Sequence, residues 1–263
     1  MGEHDVRTLF LIVAFTVPRM MSALLISPFF GDQFIMGMAR QVVIISLSLM
    51  AIPITLQSPI NIPDSNFWPL FLIGVLVKEI VLGMLIGFST GLIFWVAEGT
   101  GFFIDNQRGS SMAEMFDPMS GGSSSLFGVL FTKVLGVLFF LGGGFFSFLT
   151  IMYDSYITWP VFSYFPTFQP GFAMTCLGLL DNIMGLIITF SAPIIIAMFI
   201  AEFGLGLMNR FSPQLNVFFL AMPVKSGIAS LLIIFYLVFL LGFFREQIMT
   251  PQKWSLFYHG FFK

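Results

Sequence analysis

Six long apolar stretches divide this chain, and they constrain its fold more than any other feature. A helix that crosses the roughly 30 Å hydrocarbon layer of a membrane needs about 20 apolar residues. The shortest stretch, 40–57, spans 18 residues, and polar or proline-containing connectors separate it from its neighbours. The pattern predicts an all-α protein of membrane-type helices, near residues 7–30, 40–57, 67–104, 126–153, 172–201 and 217–244.

The composition excludes a soluble monomer and a disordered chain. Charged residues make up 9% of the 263 residues and hydrophobic residues 57%, whereas a soluble domain spends about a quarter of its residues on charge. Disordered chains are poor in aromatic residues, but this chain has 36 Phe. Its net charge of −2 provides no basic surface for nucleic acid. The chain therefore meets membrane lipid or buries most of its surface against partners.

The connectors are rich in Pro, Gly, Ser and Asn, and they occupy residues 58–66, 117–125 and 159–170. No internal repeat and no change of composition divides the chain. A single domain over 1–263 is therefore predicted. Pro193 is expected to kink the helix that holds it, because proline removes a backbone hydrogen bond.

Glycines mark two places in the apolar stretches. Gly83, Gly87 and Gly91 recur at every fourth residue, which places them on one helix face and allows a close approach of another backbone. Two interpretations remain open: an assembly seam between subunits, or a packing groove within the chain. Three consecutive glycines, 142–144, weaken a helix and predict a break or a loop.

Several ionisable side chains lie in apolar surroundings, where a charge usually faces a partner or a wet cavity. We expect most of them to form ion pairs, to cap helix ends or to reach the headgroup layer. The alternative is a proton or ion pathway through Glu79, Asp181 and Glu202, as in a self-contained multi-pass transporter of small solutes. The full set comprises Arg19, Lys78, Glu79, Glu98, Lys133, Asp181, Glu202, Arg210 and Lys225.

No motif points to an enzyme, a metal site or a cofactor. The only histidines, His4 and His259, lie close to the ends of the chain, and no phosphate-binding glycine loop is present. A buried Ser/Lys dyad that uses Lys133 has no further support in the sequence. We therefore predict a protein without catalytic activity and without a cofactor.

The most unusual segment follows the third apolar stretch. A polar cluster, 105–108, gives way to Met112, Met115 and Phe116 and then to a Gly/Ser-rich linker. Methionine is flexible and polarisable, so it fills irregular gaps. Composition alone favours an exposed loop with incidental methionines in a Met-rich chain.

Three blocks of sequence resemble the central motifs of one protein family. Residues 103–109 (Phe-Ile-Asp-Asn-Gln-Arg-Gly) and 116–118 form the first block, and residues 202–218 and 223–229 form the other two. Over essentially its whole length the chain resembles the T subunit of the type III secretion export apparatus (the SctT family), whose flagellar relative is FliR. Its Asp-Asn-Gln-Arg-Gly form is more similar to injectisome members, of virulence or symbiosis type, than to flagellar ones.

This resemblance implies a structural and gating subunit of a bacterial protein-export gate in the inner membrane. Family members assemble with R and S subunits into a closed helical gate, and the U subunit (the switch protein) wraps its base. Unfolded secreted proteins pass through this gate. The resemblance also implies helical hairpins that are raised toward the periplasm in the assembly, so the apolar stretches give helices rather than a membrane topology.

The resemblance implies a plug-like loop at about 107–122 that lies in the pore of the closed gate. The residues themselves suit this role, because Met112, Met115 and Phe116 form a deformable apolar part, and we hypothesise that the polar cluster anchors the base by hydrogen bonds. The block around Arg210 is expected to hold a helical hairpin in shape, with Pro213 at the end of one helix. The residues of the plug are Gln107, Arg108, Gly109, Met112, Met115, Phe116, Asp117 and Pro118. The residues expected in assembly or packing come from the glycine spacing and from the second and third sequence blocks: Gly83, Gly87, Gly91, Asn209, Arg210, Pro213, Gln214 and Lys225.

Overall fold

The computed structural model describes residues 3–31, 34–35, 37–57, 68–109, 125–163, 172–211 and 217–248. Within these ranges the chain is helical and has no β-strand, which confirms the all-α class. A short 3₁₀ turn at Pro28–Phe30 follows the first helix. The helices are α1 Glu3–Ile26, α2 Gly37–Leu56, α3 Trp68–Arg108, α4 Leu126–Leu141, α5 Gly144–Thr158, α6 Phe172–Phe211 and α7 Val217–Ile248.

The largest differences between the helix boundaries and the apolar stretches lie at two places. The stretch 126–153 is divided into α4 and α5 by Gly142 and Gly143, as the glycine run predicted. Gly143 has φ +79°, a left-handed conformation that residues with a Cβ rarely adopt. α6 continues ten residues beyond the predicted end at residue 201, and Glu202, which pairs with Lys225, lies inside the helix.

Helices suited to a membrane make up most of the structure. Among the described residues, α2, α3, α6 and α7 are long and apolar enough to cross a bilayer, and the broken pair α4 and α5 is a fifth candidate. The apolar windows of the four single helices have mean hydropathies of 1.7 to 2.6, yet only 22 to 39% of each window is buried within the chain. Lipid or other proteins must therefore cover the rest.

The described residues group into two compact units, and α3 contributes to both. The first unit contains α1, α2, α3 up to Leu92, and α5 with the turn that follows it. The second contains α3 from Ile93, α4, α6 from Ala173 and α7. The single domain expected over 1–263 stays a prediction.

The first unit packs α1 against α2, α3 and α5. A Cβ added to Gly83 would overlap the carbonyl oxygen of Arg19, and one added to Gly87 would overlap that of Ala23. These glycines therefore let α3 approach the backbone of α1 closely. Aromatic contacts complete the core, with Phe29 at 5.2 Å from Phe148 between ring centroids.

The second unit packs the end of α3 against α4, and α6 against α7. Phe94 of α3 meets Phe139 of α4 at 5.4 Å, and Phe190 of α6 meets Phe243 of α7 at 4.6 Å between centroids. A Cβ on Gly101 would overlap the backbone at Phe127 and Gly128, so α3 and the start of α4 lie in backbone contact.

Candidate functional site

The base of the predicted plug is held together by the carboxylate of Asp105, in the last turn of α3. Its Oδ2 accepts hydrogen bonds from Ser125 Oγ at 2.6 Å and from the Phe127 backbone N–H at 2.9 Å. Ser125 also caps α4, because its Oγ accepts from the Gly128 N–H at 2.8 Å. One buried carboxylate thus joins the two chain ends that flank residues 110–124.

Arg108 completes this base. Its Nε lies 2.7 Å from Asp105 Oδ1, and its guanidinium carbon lies 4.5 Å from the centre of the Phe127 ring. Its Nη1 donates to Ser226 Oγ of α7 at 3.3 Å. The hydrogen bonds expected of the polar cluster are therefore present at Asp105 and Arg108, whereas Asn106 is exposed. We refer to Asp105, Arg108, Ser125 and Phe127 as the loop clamp.

Gly109 ends α3 in the left-handed conformation, at φ +92°. Its N–H donates to the Asn106 carbonyl at 3.1 Å, and the Met222 side chain of α7 lies next to it. Gln107 is half-buried in the last turn of α3. The other predicted plug residues lie outside the described residues: Met112, Met115, Phe116, Asp117 and Pro118.

A separate charged cluster lies in the core of the first unit. Both side chains of the ion pair between Arg19 of α1 and Glu79 of α3 are 0% exposed. Arg19 Nε and Nη2 donate to the two carboxylate oxygens of Glu79 at 2.6 and 2.8 Å. The guanidinium also donates to the carbonyl oxygens of Ser155 and Trp159 at 2.8 and 2.9 Å and lies over the Tyr156 ring.

Lys78 belongs to the same cluster. Its Nζ lies 3.1 Å from Glu79 Oε1 and donates to the carbonyl oxygens of Pro160, Val161 and Ser163 at 3.0, 2.6 and 3.2 Å. The two cations thus bind backbone carbonyls at the end of α5 and in the turn after it. The buried carbonyl oxygens need hydrogen-bond donors from the protein, because water does not reach them. We call Arg19, Lys78 and Glu79 the buried cluster.

The carboxylates of the transporter hypothesis are placed differently from what an ion pathway needs. Glu79 is buried and bonded on both oxygens, and Glu202 pairs with Lys225 at 3.1 Å. Asp181 is exposed on α6. Lys133 is also exposed, on α4, so the buried Ser/Lys dyad is wrong. Ion pairing accounts for Glu79 and Glu202, as the sequence favoured.

The predicted packing residues fall into three groups. Gly83 and Gly87 contact α1 of the same chain, which is the intrachain alternative, and Gly91 is buried on α3. Lys225 is buried and paired. Asn209 and Arg210 are exposed in the last turn of α6, whereas Pro213 and Gln214 lie outside the described residues.

The sequence pattern did not identify three residues of this region. Ser125 stands at the end of a segment that reads as a flexible linker, although a serine before an apolar run is also a helix-capping signal. Phe127 and Ser226 carry no local signal, because their roles depend on contacts 22 and 118 residues away along the chain.

The helices and the loop clamp define an all-α, multi-pass membrane protein with a polar loop base between apolar helices. A family model described as "Bacterial export proteins, family 1" matches residues 10–250. The chain therefore belongs to this family of bacterial export proteins.

Individual relatives agree with this assignment. Yop proteins translocation protein T of Yersinia pestis is 42% identical over 221 residues, which cover 84% of this chain and 83% of the relative. Secretion system apparatus protein SsaT of Salmonella typhimurium is 36% identical over 72% of both chains. Flagellar biosynthetic protein FliR of Bacillus subtilis is 30% identical over 60% of this chain and 61% of its own length.

These findings confirm the resemblance to the type III export apparatus T subunit. The chain is a component of a bacterial protein-export apparatus and a multi-pass protein of the inner membrane. The matched family is one of export proteins rather than of enzymes.

Proposed function

We propose that this chain is the T subunit of an injectisome-type export gate and that its loop over about 107–122 seals the entry pore for unfolded proteins. Its partners are the R and S subunits, with the U subunit at the base. Identity is higher and coverage is longer for the Yop translocation and SsaT proteins than for flagellar FliR, which supports the injectisome assignment.

The loop clamp is the observation that carries the sealing role. A seal across a pore needs a fixed base, because a loop whose two ends can shift leaves the pore by thermal motion. Asp105 bonds both sides of the segment at once and is 2% exposed, so its bonds are shielded from water. Methionine-rich sequence between such fixed ends suits a deformable apolar seal.

Uncovered apolar surface supports the role in assembly. Only 28% of the α6 window and 22% of the α7 window are buried within the chain. Large side chains such as Phe199, Phe203 and Phe235 are at least 60% exposed. Partner helices and lipid are expected to cover this surface, and in the assembled gate the hairpins are expected to be raised toward the periplasm.

Deletion of residues 110–120 tests the sealing role. We expect the assembled gate to leak ions and small solutes, because the apolar part of the seal is removed while the clamp remains. Ion conductance is measured in cells and in bilayers that contain the purified complex. Replacement of Ser123 and Ser124 by Ala, in the polar part of the linker, is the matched control. Unchanged conductance with normal complex yield would place the seal elsewhere.

Native mass spectrometry tests the partners. The chain is co-expressed with the neighbouring R and S subunits and extracted in mild detergent. We expect a discrete hetero-oligomer that contains this chain. A lone monomer or homo-oligomer, in the presence of folded R and S subunits, would contradict the proposal.

A further inference from the structure

We infer that Arg108 is a positioning residue that ties the loop clamp to α7, so that displacement of α7 loosens the pore seal. The inference rests on the proposed sealing function and adds the contact through which that seal is controlled. It concerns described residues of the second unit: those of α3 and α4 on either side of the loop, and those of α6 and α7 that pack near them.

Three helices meet at the guanidinium of Arg108. It pairs with Asp105 on its own helix, lies over the Phe127 ring of α4 and donates to Ser226 of α7. Its side chain is only 15% exposed, so these contacts have little competition from water. Of the contacts just described, the one with Ser226 links the clamp to α7.

A second contact with α7 lies one residue further along. Met222 covers Gly109, the last described residue before the loop. Met222 and Ser226 are four residues apart, so they share one face of α7. That face therefore meets both Arg108 and Gly109, the last two described residues before the loop.

The residue next to Ser226 on α7 is joined to α6. Lys225, adjacent to Ser226, pairs with Glu202 of α6 at 3.1 Å. The exposed apolar surface of α6 and α7 is where partners bind under the proposed function. A partner that shifts these helices would therefore move Ser226 away from Arg108 and weaken the hold on the loop.

Arginine suits this position because its planar fork serves several partners at once. Lysine retains the charge beside Asp105 but offers a single ammonium, which stacks less well on Phe127 and has a different reach. We therefore expect Arg108→Lys to restore part of the function that Arg108→Gln loses. If Arg108 acted through its charge alone, Arg108→Lys would leak no more than the unsubstituted gate.

The test is a leak measurement on the assembled gate with Ser226→Ala and Met222→Ala. We expect Ser226→Ala to raise the open fraction about fivefold, the effect of one typical hydrogen bond, with complex yield unchanged. Met222→Ala is expected to act in the same direction. Ser230→Ala is the matched control, because Ser230 lies one turn further on α7, is exposed, and bonds to the Ser226 carbonyl of its own helix.

A double variant separates positioning from general damage. If Ser226 acts through Arg108, then Arg108→Gln with Ser226→Ala leaks no more than Arg108→Gln alone. Additive leaks would overturn the inference, and so would a Ser226→Ala gate as tight as the Ser230→Ala control. Ser226→Ala by itself keeps the inference falsifiable should the Arg108 variants fail to assemble.

The deletion of residues 110–120 is run in the same assay, so the two proposals fail separately. A leaking deletion with tight Ser226 and Met222 variants would retain the sealing role and remove the link to α7. A tight deletion would remove the sealing role, and the present inference with it.

Discussion

Both units place charged side chains in apolar protein, but they surround them differently. In the first unit, Arg19, Lys78 and Glu79 are at most 1% exposed, and the two cations bind five backbone carbonyls. In the second unit, Asp105 accepts two hydrogen bonds from the start of α4, and Arg108 keeps 15% of its side chain exposed.

This difference separates a permanent contact from a releasable one. Loss of any member of the buried cluster leaves a charge or several carbonyls without a partner and without water, and such a loss is severe. The loop clamp depends on fewer bonds, and its cation Arg108 keeps 15% of its side chain exposed, so Arg108 exchanges partners at smaller cost. The first arrangement suits a fixed scaffold, and the second suits the base of a movable part.

The largest expected effect is that of Glu79→Gln. The change leaves Arg19 and Lys78 as neighbouring buried cations without a counter-charge, which destabilises a protein by about 3–5 kcal/mol. We expect little folded chain in the membrane, measured as the yield of extracted complex. Glu98→Gln is the control, because Glu98 is an exposed carboxylate on the same helix. Equal yields of the two variants would show that the buried cluster is not essential to the scaffold.

A smaller loss of stability is expected from Gly87→Leu, which separates α3 from α1 in the first unit. The new side chain would meet the Ala23 backbone, and overpacking of this kind costs about 1–3 kcal/mol, occasionally more. The thermal midpoint of the extracted complex is the measurement. Gly74→Leu on the same helix points into open space and serves as the control. An unchanged thermal midpoint for Gly87→Leu would mean that the close approach of α1 and α3 contributes nothing to stability.

The smallest effect on stability is expected from Asp105→Asn in the loop clamp. The amide oxygen still accepts hydrogen bonds but carries no charge for Arg108, so the loss of stability is about 1.5 kcal/mol, the lower end for hydrogen bonds to charged groups. We expect normal assembly with raised ion leak, which is the reverse of the Glu79→Gln result. Asn106→Ala, at the exposed neighbouring residue, should change neither the assembly nor the ion leak. Loss of assembly in Asp105→Asn would show that the two regions do not differ as described.

The sequence predicted the helices well because apolar length and breaks are local signals. It gave the division at residues 142–144, the paired state of Glu79 and Glu202, and the polar base at Asp105 and Arg108. The end of α6 was placed too early, because a charged residue ends an apolar stretch whether or not a partner neutralises it. Lys225, 23 residues later, is that partner.

A single sequence could not predict which distant residues the charged side chains contact. Arg19 bonds to Glu79 and Ser155, which lie 60 and 136 residues away, and no spacing rule connects them. The choice between an assembly seam and an internal groove for Gly83 and Gly87 also needed the position of α1. The apolar part of the seal, from Met112 to Phe116, stays a prediction.

The position of Arg19 has a consequence for how the protein is made. Synthesis runs from the N-terminus, so α1 leaves the ribosome before its partners Glu79 and Ser155 exist. An unpaired charge opposes entry of a helix into lipid by about 2.5–3.5 kcal/mol on insertion scales. We therefore expect α1 to enter the bilayer poorly as a nascent segment and to take its final position only after α3 and α5 have been synthesised. α1 thus depends for its final position on helices that are made after it.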